Sequence, residues 1–280
     1  MPLSLPISVV VPVRNEQANL PGCLESLRDV SDVTVVDSGS TDGTREVAER
    51  HGRPVVQFTW NGRYPKKRNW ALERCSSRHD WVLFLDADER MTPAAANELR
   101  RVLPATPCNG FWLTYDNWFM GKLLRHGDPM RKLALVRRGC GAYERVDEDA
   151  WSGLDMEVHE HIVVQGPVGR IRARLEHHDR RDLKSYHARH EEYASWEAAR
   201  YLALQREADA SPLGLRQRVK YRLLPMPFFP AAYFLASYVI RGGFLDGRAG
   251  LAFALSKERY FRQVQLKIRE RLRQARGASA

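Results

Sequence analysis

Short runs of consecutive apolar residues alternate with segments of helical spacing over the first hundred positions of the chain. A strand buried on both faces shows such a run, whereas a helix repeats its apolar positions every three or four residues. Buried strands are predicted at residues 7–11, 33–36, 55–58 and 81–85, with helices at 20–27, 44–51 and 65–74. This alternation predicts an α/β unit with a mostly parallel sheet.

A different pattern follows residue 105. Apolar runs at residues 111–115, 133–136, 162–164 and 171–175 are separated by turn-rich segments instead of helical ones. They predict an antiparallel or mixed extension that caps the first sheet. Residues 183–207 are polar with interspersed Tyr and Trp, which predicts a long surface helix.

Residues 223–240 form an uncharged stretch of 18 residues. Pro225, Pro227 and Pro230 leave only ten residues of unbroken helix-compatible sequence, too few to cross about 30 Å of hydrocarbon. Basic residues flank the stretch, and aromatic residues lie within it. This combination favours a segment in the interface of an anionic membrane leaflet. The alternative is a hydrophobic helix packed on the rest of the protein, with a solvated basic tail.

The positive charge of the chain is concentrated in one segment. Residues 216–276 contain 14 Lys and Arg against 3 Asp and Glu, which leaves 30 of the 44 basic and 31 of the 34 acidic residues for the rest. Such an asymmetry indicates a docking surface for something anionic. A nucleic-acid-binding protein is a rival interpretation. The chain has no recognisable reading motif for nucleic acid, so no nucleic-acid partner is expected.

The four cysteines at positions 23, 75, 108 and 140 are scattered without metal-ligand spacing. They predict neither a zinc site nor a disulfide framework, which suits a reducing cytoplasm. The first residues lack the basic start and the long apolar run of a signal peptide. A cytoplasmic location is therefore expected.

Acidic residues follow two of the predicted strands. Asp37 ends the second strand, and Asp86 and Asp88 follow the fourth. Ligands of parallel sheets bind beyond the carboxyl ends of strands, where these side chains are expected. Two close carboxylates repel each other unless a cation lies between them, which favours a divalent-metal site. The alternative is an acidic strand-to-helix turn, with Thr92 as the cap of the following helix.

The chain contains neither a G-x-G-x-x-G fingerprint nor a P-loop. A phosphate-bearing ligand would therefore be met by a cation and basic side chains. Asp88 and the basic run at residues 66–68 are available for this task.

Four motifs in the first third of the chain resemble those of family 2 glycosyltransferases with the GT-A nucleotide-sugar fold. They are VVPVRNE at 10–16, VVDSGSTDGT at 35–44, KRNWAL at 67–72 and DADE at 86–89, in the order and spacing of that family. Farther on, VHEH at 158–161, His177 and GGFLDGRAG at 242–250 are similar to the subgroup that adds sugars to lipopolysaccharide core or related bacterial surface glycans.

The resemblance implies a domain organisation. A GT-A catalytic domain at 1–210 would contain a nucleotide-binding half at 1–105, an acceptor-side half at 106–180 and a long helix at 181–210. Residues 211–280 would form a basic, apolar helical extension close to the membrane.

The resemblance also implies roles for single residues. The first nucleotide-contacting loop would contain Pro12, Arg14 and Glu16. Asp37 would accept a hydrogen bond from the uracil, Asp86 would face the ribose or the metal, and Arg68 would approach the nucleotide phosphates. Asp88 and His177 would bind Mg²⁺ or Mn²⁺, with His178 as the alternative to His177. Glu160 would be the base, with Asp155 and Glu157 as alternatives.

The expected function is an inverting, metal-dependent transfer of a hexose from a nucleotide sugar. A UDP-sugar is the expected donor, and a lipopolysaccharide-core or lipid-linked glycan is the expected acceptor. The enzyme would lie at the inner face of the plasma membrane as a peripheral protein, on an anionic surface. A nucleotidyl- or phospho-transferase with the same metal site is the rival among enzymes.

Overall fold

The predicted alternation of strands and helices is present in the computed structural model, which describes residues 5–144, 162–180, 183–206 and 215–277. These residues fall into two compact units. The first unit contains residues 5–123, 129–144 and 162–180, and the second contains 124–128, 183–206 and 215–277. The domain limit expected at residue 210 stays a prediction.

Eleven strands are present in the described residues. They are β1 (Ser8–Val13), β2 (Asp32–Asp37), β3 (Val55–Gln57), β4 (Trp81–Phe84), β5 (Glu89–Arg90), β6 (Gly110–Phe119), β7 (Lys122–Leu124), β8 (Met130–Arg137), β9 (Gly141–Tyr143), β10 (Ile162–Val164) and β11 (Val168–His178).

Eight α-helices are present in the same ranges. They are α1 (Leu20–Ser26), α2 (Thr44–Arg50), α3 (Lys67–Arg74), α4 (Pro93–Val102), α5 (Leu183–Arg206), α6 (Leu215–Leu223), α7 (Phe229–Leu235) and α8 (Gly247–Gly277). A π-helical segment, Ala236–Ile240, continues α7, and 3₁₀ turns lie at Leu103–Ala105 and Gly243–Asp246.

Nine strands form one sheet in the order β3-β2-β1-β4-β8-β6-β11-β5, with β7 paired to β6. The strands β3, β2, β1 and β4 are parallel neighbours, and β8 runs antiparallel between β4 and β6. The predicted mixed extension is confirmed, since β8, β6 and β11 continue the first sheet with antiparallel and parallel pairs. The expectation that it caps the sheet is wrong, and the predicted strand at 162–164, β10, pairs with β9 in a separate two-stranded sheet. The physical reason is that β8 pairs with backbone groups of β4 that would otherwise stay unsatisfied.

Both faces of the first strands are buried, as their continuous apolar runs predict. Val9 and Val11 of β1 belong to one core with Leu24 of α1 and Leu99 of α4. Val10, the residue between them, belongs to a second core on the other side of the sheet. Full burial of side chains of this size contributes about 1.5–3 kcal/mol each. The two cores fix the strands whose ends carry the acidic residues.

The predicted start of α4 is confirmed. Thr92 precedes the helix in an extended conformation, and its Oγ1 accepts a hydrogen bond from the Ala95 N–H at 3.1 Å. Pro93 occupies the first turn, where its missing N–H costs nothing. Together they end the segment that contains Asp86 and Asp88.

The second unit is built around α5 and α8. Ala194 and Ala198 of α5 are fully buried and belong to one core with Tyr260, Phe261 and Val264 of α8. The predicted long helix at 183–207 is therefore present, but one of its faces lies in a core. The small alanine side chains allow the aromatic side chains of α8 to pack closely against α5.

The uncharged stretch at 223–240 is divided by its prolines. Helix α6 ends at Leu223, and α7 begins at Phe229 with Pro230 in its first turn, because proline fits only the start of a helix. Within the described ranges, no helix combines the length and apolarity needed to cross a membrane.

Candidate active site

The carboxyl ends of β1, β2 and β4 meet at one edge of the sheet because these strands are parallel neighbours. Asp37, the last residue of β2, pairs with Val13 at the end of β1. Asp86 follows the last residue of β4 by two positions. The acidic residues that the sequence places after two different strands therefore gather at this edge.

Two loops that leave this edge bind each other. The first follows β1 at residues 14–19, and the second follows β2 at residues 38–43. Asn15 N–H donates to Ser40 Oγ at 2.9 Å, and Thr41 N–H donates to Asn15 Oδ1 at 2.8 Å. Asn15 has a φ of 56°, a left-handed conformation that asparagine adopts more readily than most residues. The loops thus form one ordered wall of the site.

The predicted nucleotide-contacting residues on these loops differ in exposure. Pro12 lies within β1 and is partly exposed, Arg14 is exposed, and Glu16 is half-buried. Asp37 is only 3% exposed, and its carboxylate accepts a hydrogen bond from the Ser40 N–H at 3.1 Å. The Asp37 side chain is therefore held in one orientation at the strand end.

The basic run at residues 66–68 does not present three free cations. Lys66 and Lys67 are 5% and 2% exposed, and Lys67 Nζ donates to the Val13 carbonyl oxygen at 3.2 Å. This bond ties the start of α3 to the end of β1. Arg68 extends to the acidic residues instead, where its Nη2 lies 2.7 Å from Asp86 Oδ1.

Asp86 belongs to a partly buried cluster of charged side chains that the sequence does not reveal. Lys132 of β8 lies with its Nζ 2.5 Å from Asp86 Oδ2, and it also forms an ion pair with Glu89. The Glu89 side chain is fully buried, and its Oε2 accepts a hydrogen bond from the Asp86 N–H at 3.0 Å. One lysine therefore joins two carboxylates, and Arg68 supports the first of them.

The pKa values of this cluster follow from burial and charge. Burial alone would raise the pKa of Asp86, but the charges of Lys132 and Arg68 outweigh it and hold this pKa well below its usual range. Burial raises the pKa of Glu89 to about 7, against the opposing effect of Lys132. Burial opposes the charged form of Lys132, but the two carboxylates raise its pKa. Asp86 and Lys132 are therefore charged at neutral pH.

Asp88, two residues after Asp86, faces His177. Asp88 Oδ2 lies 3.5 Å from His177 Nε2, and the two side chains are 11% and 20% exposed. Strand β11 is held there because it pairs with β5, so that His177 lies beside Glu89. The backbone adds a hydrogen bond from His178 N–H to the Asp88 carbonyl oxygen at 2.6 Å. Residues 89 positions apart in the sequence thus become neighbours.

Asn117 of β6 orients the His177 ring. The Asn117 side-chain oxygen lies 3.0 Å from His177 Nδ1, and it can only accept a hydrogen bond. The neutral imidazole therefore carries its proton on Nδ1 and presents the lone pair of Nε2 toward Asp88. Burial lowers the pKa of His177, but the charge of Asp88 outweighs it, so the pKa lies above its ordinary value.

His178 points to different partners. Its Nε2 lies 2.8 Å from Glu176 Oε2, and its ring stacks on Trp118 at a centroid distance of 5.0 Å. Successive side chains of a strand point to opposite faces, which separates His178 from His177. The geometry favours His177 over His178 as a partner of Asp88.

Asp88 and the neutral form of His177 are two acceptors that face each other, an arrangement that fits a cation between them. No three His, Cys, Asp or Glu side chains within the described ranges are placed to hold a metal together. Mg²⁺ and Mn²⁺ often take one or two protein ligands and complete their coordination with water and phosphate oxygens. A carboxylate with an imidazole therefore fits an ion that is shared with a phosphate-bearing ligand.

Asn69 is another residue that sequence reasoning missed. Its side chain donates to the Tyr143 carbonyl oxygen at 3.1 Å and accepts from the Tyr143 N–H at 2.9 Å. This pair of bonds ties β9 to α3, and the ring of Tyr143 lies 5.4 Å from the Arg68 guanidinium. The only feature of the sequence that pointed to Asn69 was its position in the KRNWAL motif. Glu160 and its alternatives, Asp155 and Glu157, lie outside the described residues.

Comparisons with known proteins agree on one family. The family model described as Glycosyl transferase family 2 matches residues 8–160. The lipopolysaccharide core biosynthesis glycosyltransferase LpsC of Rhizobium meliloti is 30% identical over 281 residues, covering 95% of this chain and 95% of the relative. An uncharacterized glycosyltransferase of Rickettsia typhi is 33% identical over 164 residues, covering 58% of this chain and 54% of that protein.

Among solved structures, a mannosyltransferase from Pyrobaculum calidifontis in complex with GDP-mannose and Mn²⁺ aligns with a TM-score of 0.48 at 18% identity. The alignment covers 94% of this chain and 86% of that chain.

Proposed function

Because the chain belongs to glycosyl transferase family 2, we propose that it transfers a hexose from a nucleotide sugar to a hydroxyl group of a lipopolysaccharide-core or lipid-linked glycan. A UDP-sugar is the proposed donor. The relative that covers 95% of this chain is named for lipopolysaccharide core biosynthesis, which supports this class of acceptor. The transfer inverts the anomeric configuration and depends on Mg²⁺ or Mn²⁺.

The pair of Asp88 and His177 is the observation that carries the proposal. Their facing atoms lie 3.5 Å apart at the edge where parallel-sheet proteins bind their ligands. These two residues would hold the divalent ion, and Asn117 fixes the orientation of the imidazole that would bind it. When bound, the ion stabilises the negative charge that develops on the departing diphosphate.

The donor nucleotide occupies the strand ends beside that pair. Asp37, oriented by Ser40, accepts a hydrogen bond from the uracil ring. Asp86 stays ionised because of Arg68 and Lys132, and its side chain is 27% exposed, which leaves it accessible to the ribose hydroxyls. The loop with Pro12, Arg14 and Glu16 lines the nucleotide, and Arg68 lies near its phosphates.

Glu160 is the proposed base. It takes the proton of the acceptor hydroxyl while that oxygen forms a bond to the anomeric carbon and the bond from this carbon to the diphosphate breaks. Attack opposite the leaving group inverts the configuration. Asp155 and Glu157 belong to the same segment and are the alternatives to test.

The enzyme acts as a peripheral protein on the inner face of the plasma membrane. The excess of basic residues at 216–276 supports attachment to an anionic leaflet. High salt or alkaline carbonate should therefore release the protein from isolated membranes. Retention after both treatments would contradict peripheral attachment.

A donor screen that measures metal-dependent nucleotide release tests the reaction. Asp88→Asn should lower kcat/KM about a thousandfold, because it removes several kcal/mol of charge stabilisation. The same variant should also weaken Mn²⁺ binding in the presence of UDP, as measured by titration calorimetry. Glu160→Gln should lower kcat without weakening Mn²⁺ binding.

Asp80→Asn is the matched control, because the Asp80 side chain is 76% exposed and lies in the same unit. It should keep full activity. Full activity of Asp88→Asn would contradict the proposed metal site. Release of pyrophosphate instead of a nucleoside diphosphate would favour a nucleotidyltransferase.

A further inference from the structure

The chain reverses direction between α7 and α8 in a tight helical hairpin. The π-helical segment Ala236–Ile240 continues α7, and Gly242 turns the chain with a φ of 72°. At Gly243 a side chain would lie 2.9 Å from the Ser237 carbonyl oxygen, so the two sides of the turn are in close contact. Glycine is required at both positions, which makes this turn a defined part of the fold.

The outer side of this turn is apolar. Val239 and Ile240 are 51% and 81% exposed before the turn, and Phe244 and Leu245 are 50% and 59% exposed after it. We call these four side chains the hairpin tip. A single exposed apolar side chain is ordinary on a protein surface. Four large ones within seven residues form an apolar patch.

The exposed face of α8 continues from the tip with a second pattern. Leucine and arginine residues are interspersed along it within an arc of about 80° around the helix axis. The exposed residues of this face include Arg248, Leu251, Leu255, Arg259, Leu266 and Arg269. The charged residues among these six are all arginines, and the acidic residues of α8, Glu258 and Glu270, lie just beyond the two edges of the arc.

Apolar exposure is concentrated in the second unit. Among the described residues, 14 of the 18 large exposed apolar side chains belong to it. A protein partner with a hydrophobic surface accounts for the leucines but leaves the arginines without acceptors. An anionic bilayer accounts for both, because its acyl boundary takes apolar side chains and its phosphate groups take guanidinium groups.

We propose that the hairpin tip and the Leu/Arg face of α8 dock on an anionic lipid bilayer. The four tip side chains enter the boundary between headgroups and acyl chains, and Arg248 and Arg259 bind lipid phosphates. The insertion is shallow, because no described helix is long and apolar enough to span. This inference rests on the proposed peripheral location and assigns the surface responsible for it.

Cosedimentation of the full chain with lipid vesicles tests the proposal. The protein should bind vesicles of phosphatidylcholine mixed with phosphatidylglycerol, and it should bind pure phosphatidylcholine much more weakly. The double variant Ile240→Asp/Phe244→Asp should lower binding at least about tenfold, because each change removes buried apolar area and adds a repelled charge. Arg248→Glu should lower binding to anionic vesicles at least about fivefold.

Met120→Asp is the matched control. Met120 is 58% exposed, belongs to the first unit, and has a left-handed φ of 52° that aspartate tolerates. It should bind vesicles as the wild type does. Thermal unfolding of each variant separates loss of binding from loss of fold, and Ile240 is exposed enough that its substitution should leave the melting temperature unchanged.

Two results would overturn the proposal: wild-type protein that stays in solution with anionic vesicles, or a folded double variant that binds them unchanged. Tip-dependent dimers without vesicle binding would assign the patch to a second copy of the chain. Asp88→Asn should bind vesicles normally, so that failure of the membrane surface and failure of the proposed chemistry are distinguishable.

Discussion

Both units bury charged side chains, among them Glu89 in the first and Glu197 in the second, but they differ in the apolar surface that they leave in solvent. The first unit buries ionisable groups, since Glu89, Lys67 and Asp37 are at most 3% exposed. The second unit leaves apolar groups in solvent, with Ile240 as the extreme case at 81%. Each departure from ordinary burial costs free energy unless something compensates for it. The buried charges of the first unit have partners within that unit, and the proposal of a lipid surface supplies a partner for the exposed apolar side chains of the second.

The sheet explains this difference. In the first unit, strands from distant parts of the sequence bring Lys132 beside Asp86 and Glu89, so that the charges satisfy one another. In the second unit, a hairpin of helices buries one side against α5 and leaves the other side open. The proposed ligand site therefore coincides with buried charge in one unit, and the proposed docking surface coincides with exposed apolar side chains in the other.

The largest expected effect on stability is that of Lys132→Met. The substitution leaves Glu89 fully buried and removes the lysine that pairs with it, and among the ion pairs of the described residues Asp86 keeps the one with Arg68. Removal of the partner of a fully buried charge costs about 3–5 kcal/mol, which is an upper limit here because the Lys132 side chain is 34% exposed and screened by water. The free energy of unfolding from urea titration should fall by up to this amount.

Arg45→Met is the control for that experiment. Arg45 and Glu49 form an ion pair at 3.0 Å, but their side chains are 58% and 56% exposed. Its loss should cost less than about 1 kcal/mol. Adding Glu89→Gln to Lys132→Met should recover part of the loss, and equal costs for Lys132→Met and Arg45→Met would contradict a buried cluster.

A comparison of two apolar truncations tests the difference in packing. Leu135→Ala in β8 removes a fully buried side chain and should cost about 2–5 kcal/mol. Ile240→Ala at the hairpin tip should change the free energy of unfolding by less than about 0.5 kcal/mol. A large cost at Ile240 would mean that the tip is packed against protein, and it would remove the basis for docking on lipid.

Asp246→Asn, in the second unit, should lower the free energy of unfolding by less than Lys132→Met or Leu135→Ala. Asp246 Oδ2 accepts hydrogen bonds from the Arg125 and His126 N–H groups at 3.0 and 2.9 Å. Burial opposes its charge, but the hydrogen bonds from His126 and Arg125 lower the pKa of Asp246 below its ordinary value. Loss of hydrogen bonds to a charged group costs about 1.5–3 kcal/mol, of which the amide recovers part.

The stability difference between wild type and Asp246→Asn should change with pH in a defined direction. A carboxyl with a lowered pKa stabilises the folded state above its unfolded-state pKa, and this contribution is lost as the pH falls through the folded-state pKa. The difference in stability between wild type and Asp246→Asn should therefore shrink as the pH falls below about 4. A difference that grows over that acidic range would contradict this assignment.

Most regular elements could be predicted from local patterns. The apolar runs locate β1, β2 and β4 to within two residues, and Thr92 with Pro93 identifies the start of α4. The short strands β5, β7 and β9 could not be predicted, because they have two or three residues and, unlike the equally short β3 and β10, do not lie in a predicted apolar run. Their pairing depends on neighbours distant in sequence.

The sequence by itself determined the α/β class, the family, and the acidic strand ends at Asp37, Asp86 and Asp88. These features are local, because they depend on apolar runs and on residues next to them. It also determined that positive charge is concentrated after residue 216.

Only the tertiary structure decided which partners the acids meet. Lys132 and His177 reach Asp86 and Asp88 because β8 pairs with β4 and β11 pairs with β5. A local sequence pattern does not specify which strands become neighbours in the sheet. The structure also decided which leucines of the second unit remain exposed, since burial depends on the neighbours that the fold supplies.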